Sequence, residues 1–89
     1  MTVFLVFRQL PRVTRDQYSA AQRAIADVAN SAGPQASVRY CGGFFLPAVA
    51  RAVCVFEAGS AVDVEAVNAQ AGVPFTEVAA ALDLRVTGP

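Results

Sequence analysis

Histidine and lysine are both missing from this 89-residue chain, and cysteine occurs only twice. Each scarcity removes a class of function. Without histidine there is no imidazole to ligate a metal or to act as the base beside a nucleophile. No nucleophile–base pair, phosphate-binding loop or dinucleotide fingerprint is present either. Without lysine, positive charge rests on seven scattered arginines, and seven acids bring the formal net charge to zero. No basic stripe exists to neutralise phosphates, so no nucleic-acid partner is expected. Cys41 and Cys54 have no C-x-x-C spacing and offer too few ligands for a zinc or iron–sulfur site. A redox pair and two buried apolar thiols both remain open for them. Long apolar runs are also missing. The run from Thr2 to Phe7 is cut by Arg8 and has neither the basic start nor the cleavage motif of a signal peptide, and Phe44 to Ala50 is too short to span a bilayer. The expectation is a cytoplasmic protein without membrane contact. The alanine-rich, lysine-free composition suits a GC-rich bacterial genome.

What the chain does have is apolar content, 55% of its residues. Its length predicts a single domain over residues 1–89, and a domain this small is marginal alone. The apolar excess is more than a small monomer needs inside, which points to a homodimer.

The pattern of apolar residues alternates between strand and helix. Thr2 to Arg8 reads as a strand apolar on both faces. Thr14 and Gln17 form a capping box that opens a helix with Tyr18, Ala21, Ile25, Val28 and Ala32 on one side, stopped by Gly33-Pro34. Ser37 to Phe45 and Ala50 to Ala58 read as a hairpin, with Pro47 at the second position of a type I turn. Ser60 caps a second helix with Ala61, Val64, Val67 and Ala71 inward, ended by Gly72 and Pro74. The alternation of Val78, Ala80, Leu82, Leu84 and Val86 predicts a last strand, although Thr76 to Leu82 is also compatible with a short helix.

The order β-α-β-β-α-β predicts an α+β, ferredoxin-like fold: one four-stranded antiparallel sheet with two helices on one face. A hairpin centred on Pro47-Ala48 sets Cys41 opposite Cys54. It puts Arg39, Cys41, Gly43, Phe45, Cys54 and Phe56 on one face. Tyr40, Gly42, Phe44, Arg51, Val53, Val55 and Glu57 fall on the other. Both faces are mainly apolar, so the face without helices needs a cover.

From Ser37 onward the residues resemble a known family. Val53-Cys54-Val55-Phe56-Glu57-Ala58 is similar to its third strand, Ala66 to Pro74 to its second-helix end before a Gly-(Leu/Val)-Pro turn, and Thr76-Glu77-Val78 to its last strand. These are small bacterial domains grouped with an actinobacterial nickel-binding protein, mostly uncharacterised and similar to the dimeric α+β barrels. The resemblance implies that fold and dimer. Asn68 stands where members often carry histidine. Nickel favours imidazole and other N/O donors, and asparagine is a weak neutral ligand, so no metal site and no cofactor is expected here.

Candidate site residues gather around the glycine pair. Gly42-Gly43 interrupts the second strand either as a β-bulge or as a gap for a ligand. Tyr40, Phe44 and Arg51 lie beside it, and with Asn68 they make up the expected ligand-binding set. Arg8, Arg39, Glu57 and Tyr18 are the other polar groups near the sheet. Arg51 and Glu57 lie about 20 Å apart along their strand and cannot pair with each other. No catalytic residue stands out. The leading reading is a homodimer that binds, or transforms without a cofactor, a small apolar organic molecule. Oxygenase, isomerase and cyclase chemistry enter only by analogy with related barrels. A metal-responsive protein and a non-catalytic assembly domain are the alternatives.

Overall fold

Alternate residues of Thr2–Gln9 are buried, and this strand, β1, is one of the two central strands of the sheet. The computed structural model describes residues 2–31 and 38–84. Helix α1 (Arg15–Ser31) follows, then β2 (Val38–Leu46), β3 (Arg51–Ala58), α2 (Ala61–Ala71) and β4 (Glu77–Ala81). The sheet order is β2-β3-β1-β4, and every neighbouring pair is antiparallel. This is the ferredoxin-like arrangement. Both helices pack on one face over Phe4, Val6, Cys54, Phe56 and Ala58. The expected stop of α1 at Gly33-Pro34, strand residue Ser37 and Val86 lie outside the described residues.

The caps are as expected. The Gln17 backbone N–H donates to Thr14 Oγ1 at 3.1 Å, and the Thr14 N–H donates to Gln17 Oε1 at 2.9 Å. Each side chain thereby satisfies an orphan donor of the first turn. Ser60 caps α2 through Asp63 N–H, and Gly72 closes it at φ +73°, a left-handed conformation that glycine adopts without cost.

Three details depart from the sequence expectation. Residues 77–81 are strand and not helix, but the strand ends at Ala81. Val3 pairs with Ala81, so β1 offers almost no partner beyond that point, and Leu82 and Leu84 are exposed. The hairpin turn is longer than a type I turn centred on Pro47-Ala48. Pro47–Val49 form a single 3₁₀ turn and Ala50 closes it at φ +54°, so Leu46 faces Arg51. Finally, Gly42 sits at φ +95° in a β-bulge between Tyr40 and Gly43. The bulge adds one residue to β2 and so reverses its facing. Val38 and Tyr40 point to the helices before it, and Phe45 does so after it.

The expected pairing of Cys41 with Cys54 is therefore incorrect. Gly43 stands opposite Cys54, Cys41 is exposed, and Cys54 is buried under the helices. Phe44 turns to the helix-free face, where it is 69% exposed.

Candidate functional site

The bulge divides the expected ligand-binding set between the two sheet faces. Tyr40 and Asn68 lie on the helix side, within or against the core. Phe44 and Arg51 lie on the open side, with Phe44 opposite Val53 and Arg51 opposite Leu46. Gly43 is where the backbone of β2 comes closest to β3: a Cβ there would stand 2.5 Å from the Val53 carbonyl oxygen. The close approach belongs to strand pairing, not to a ligand gap. Arg39 pairs with Glu57 at 3.1 Å on the exposed rim.

On the helix side, polar side chains collect at one place inside an otherwise apolar layer. Arg8 follows Phe4 and Val6 on the buried face of β1 and is 1% exposed. Its Nη2 donates to Asn68 Oδ1 in α2, and its Nη1 donates to the carbonyls of Val73 (3.4 Å) and Pro74 (3.3 Å). Its Nε has no partner. No carboxylate pairs with Arg8 among the described residues. Its charge faces the C-terminal end of α2, where free carbonyls and the helix dipole are negative. Asn68 is fully buried because it lies one turn beyond Val64, and its Nδ2 donates to the Val64 carbonyl at 2.8 Å. That bond fixes the amide so that its oxygen faces Arg8.

Cys54 lies under two tyrosines. Tyr18 in α1 brings its hydroxyl to 3.9 Å from Cys54 Sγ, and Tyr40 in β2 to 4.0 Å. Gln22 Nε2 donates to the Tyr40 hydroxyl at 3.0 Å. Tyr18 stacks on Phe45 with ring centroids 4.9 Å apart, and Tyr40 packs against Phe56 at 5.1 Å. Burial, and then the neighbouring Cys54, push both phenols above their ordinary range, with Tyr40 at about 12. The Arg8 charge reaches both hydroxyls and pulls the other way, but more weakly. At neutral pH both are therefore neutral O–H donors.

A groove of about 440 Å³ opens between α1 and β2 above this cluster. Tyr18, Gln22 and Phe45 line its inner side, and Arg15 and Ser19 line its rim. Two further concavities lie on the open sheet face. One, of about 530 Å³, lies over Phe7, Leu46 and Val53 with Gln9, Arg51 and Glu77 around it. The other, of about 310 Å³, lies over Leu5, Phe44 and Val55.

The interior offers little to a metal. Among the described residues no three histidine, cysteine, aspartate or glutamate side chains come together. Cys54 is the one thiol inside, and the Asn68 oxygen is already taken by a cation.

Arg8, Tyr18, Gln22 and Cys54 come together here although the expected ligand-binding set did not include them. Arg8 carried a usable signal, since it continues the buried parity of Phe4 and Val6. Gln22 carried none, because helical spacing alone places it among solvated residues.

Comparison with known proteins bears on this arrangement. A family model described as nickel responsive protein SCO4226-like matches residues 4–80. A solved structure, the crystal structure of SCO4226 from Streptomyces coelicolor A3(2), superposes with a TM-score of 0.78 at 24% identity. The match covers 94% of this chain and 99% of that one. No curated protein matches the chain.

Proposed function

The chain belongs to the SCO4226-like family of nickel-responsive proteins, and from that premise we propose that it is a homodimeric member that binds a small organic molecule rather than nickel. The observation that carries the reading is the α1–β2 groove, lined by Tyr18, Gln22 and Phe45 with Arg15 and Ser19 at its rim. Buried polar groups are expensive unless they are hydrogen-bonded, and an apolar pocket with a few convergent polar groups is the usual form of a small-molecule site.

Nickel does not fit these residues. It favours imidazole, which the chain lacks entirely. The position expected to carry histidine, Asn68, is locked between Arg8 and the Val64 carbonyl. A divalent cation at Asn68 would also meet the Arg8 guanidinium, a like charge in a low-dielectric site. Calorimetric titration with nickel at neutral pH is therefore expected to show no stoichiometric submicromolar binding. Such binding would overturn the reading, and its loss in Cys54→Ser would identify the thiol as the ligand.

The dimer rests on the open face. Val3, Leu5, Phe7, Phe44, Val53 and Val55 make it apolar through the middle. Arg39 and Glu57 stand at one end, and Arg51 and Glu77 at the other. An apolar centre with balanced charge at both ends is self-complementary about a two-fold axis. Burying such a face contributes about 25 cal/mol per Å² of apolar area. The same face, read alone, also fits an assembly module for another protein, and a stable monomer in solution would favour that second reading.

Binding is tested by two-dimensional NMR of the whole chain against a panel of small ring compounds. The proposal expects shifts at Tyr18, Gln22 and Phe45. Shifts confined to the open face, or none, would contradict it.

A further inference from the structure

The charges at the two ends of the open sheet face are arranged differently. At one end Arg39 and Glu57 stand directly opposite each other on neighbouring strands and join at 3.1 Å. At the other end Arg51 on β3 and Glu77 on β4 both line the cavity of about 530 Å³, yet neither has an ion pair or a side-chain hydrogen bond among the described residues. Sheet geometry explains the difference. β1 lies between their strands, Arg51 is opposite Gln9, and Glu77 is opposite Phe7. Two strand spacings and a two-residue stagger put their backbones about 12 Å apart. A cation and an anion thus flank one cavity without neutralising each other.

The surface between them is apolar. Phe7 and Val53 form its floor, and Leu46 and Val49 of the hairpin turn wall one side. Both sides are anchored to β1 through the backbone. The Leu10 N–H donates to the Ala50 carbonyl at 2.7 Å, which holds the turn. Thr76 donates to the Phe7 carbonyl through its N–H at 2.7 Å and its hydroxyl at 3.0 Å, which holds the start of β4. The cavity is therefore shaped by the strands themselves, as small-molecule sites usually are. Gln9, on the strand between the two charges, adds an amide that can both donate and accept.

A ligand with a single charge leaves this cavity unbalanced. An anion drawn to Arg51 faces Glu77, and a cation drawn to Glu77 faces Arg51. A ligand that carries both charges satisfies both ends. We propose that this cavity binds a free α-amino acid with an apolar side chain, its carboxylate towards Arg51, its ammonium towards Glu77 and its side chain on Phe7 and Val53. The site lies on the opposite sheet face from the α1–β2 groove and stands independently of the reading of that groove.

Leucine tests it, beside isocaproate, isopentylamine and glycine, which lack its ammonium, its carboxylate and its side chain in turn. Each is titrated into the whole protein and followed by two-dimensional NMR at Gln9, Val53 and Glu77. Leucine is expected to bind at least about fivefold tighter than each of the others, the ratio that one partly exposed ion pair or a packed aliphatic side chain supplies. Arg51→Gln, at an exposed position, is expected to weaken leucine by a similar factor and to leave isopentylamine bound as well or better. Glu77→Gln, also exposed, is expected to weaken leucine likewise and to leave isocaproate bound as well or better. Melting temperatures of both variants are the control for folding. Equal binding of leucine and either single-charge probe, or leucine binding that neither variant weakens, would overturn the amino-acid assignment. Leucine causing no shifts at this end would overturn it too, whether the face stays open or is filled by a second copy. Ring compounds that shift Tyr18, Gln22 and Phe45 test the groove separately, so either reading can fail without the other.

Discussion

Arg8 and Asn68 are the pair on which the interior depends. Removing the Asn68 amide leaves a buried guanidinium with only two long carbonyl contacts. Asn68→Ala is therefore expected to lower stability by about 3 kcal/mol, the cost of depriving a buried charged donor of its partner. Denaturant titration checks this, and a loss below about 1 kcal/mol would mean the pair is ornamental. The two tyrosines make a second prediction at this scale, and they are the only tyrosines in the chain. Their folded pKa values are raised above the ordinary 10, by burial first and Cys54 second. A raised pKa means the folded state holds its protons more tightly than the unfolded one. Their contribution to stability is thus complete below pH 10 and lost as pH rises towards about 12. Near-ultraviolet titration is expected to show no tyrosinate between those limits until the chain unfolds. Reversible ionisation of a folded chain near pH 10 would contradict the buried cluster.

At the scale of elements, β2 shows how far the sequence could be read. The order of strands and helices, both caps and the buried stripe of α2 followed from periodicity and capping chemistry, because those signals are local. Facing within β2 did not follow. It depends on whether Gly42-Gly43 adds a residue to the strand, and a glycine pair is equally compatible with a regular strand. The turn, two residues longer than expected, set Gly43, not Cys41, opposite Cys54, and the one inserted residue put Tyr40 and Phe44 on opposite faces. The set of site residues inherited that error: Tyr40 and Asn68 stayed inside, while Phe44 and Arg51 went to the other face. Arg8 was legible as buried, but its partners were not, because Val73 and Pro74 reach it only through the tertiary fold. The bulge itself makes a prediction. Nothing lies within 4 Å of a Cβ built on Gly42, yet its φ is +95°. Gly42→Val is expected to cost roughly 1–3 kcal/mol through backbone strain and not through a clash. Thermal melting that matches the native chain would show that β2 carries no left-handed residue there.

For the whole molecule, the two faces of the sheet have different tasks. One is sealed by α1 and α2 and holds the polar cluster. The other presents Phe44, Leu46 and neighbouring apolar residues that no described element covers. In the proposed dimer a second copy covers that face without adding net charge, because the arginines and acids at its ends balance. The family name suggests nickel, and this chain has no imidazole to hold it, so the account makes two claims about the molecule at once: it is a dimer, and it does not hold nickel. Native mass spectrometry of the chain incubated with equimolar nickel tests both in one spectrum. The account predicts the mass of two chains with no metal retained; a single-chain mass, or a stoichiometric nickel adduct, would contradict it.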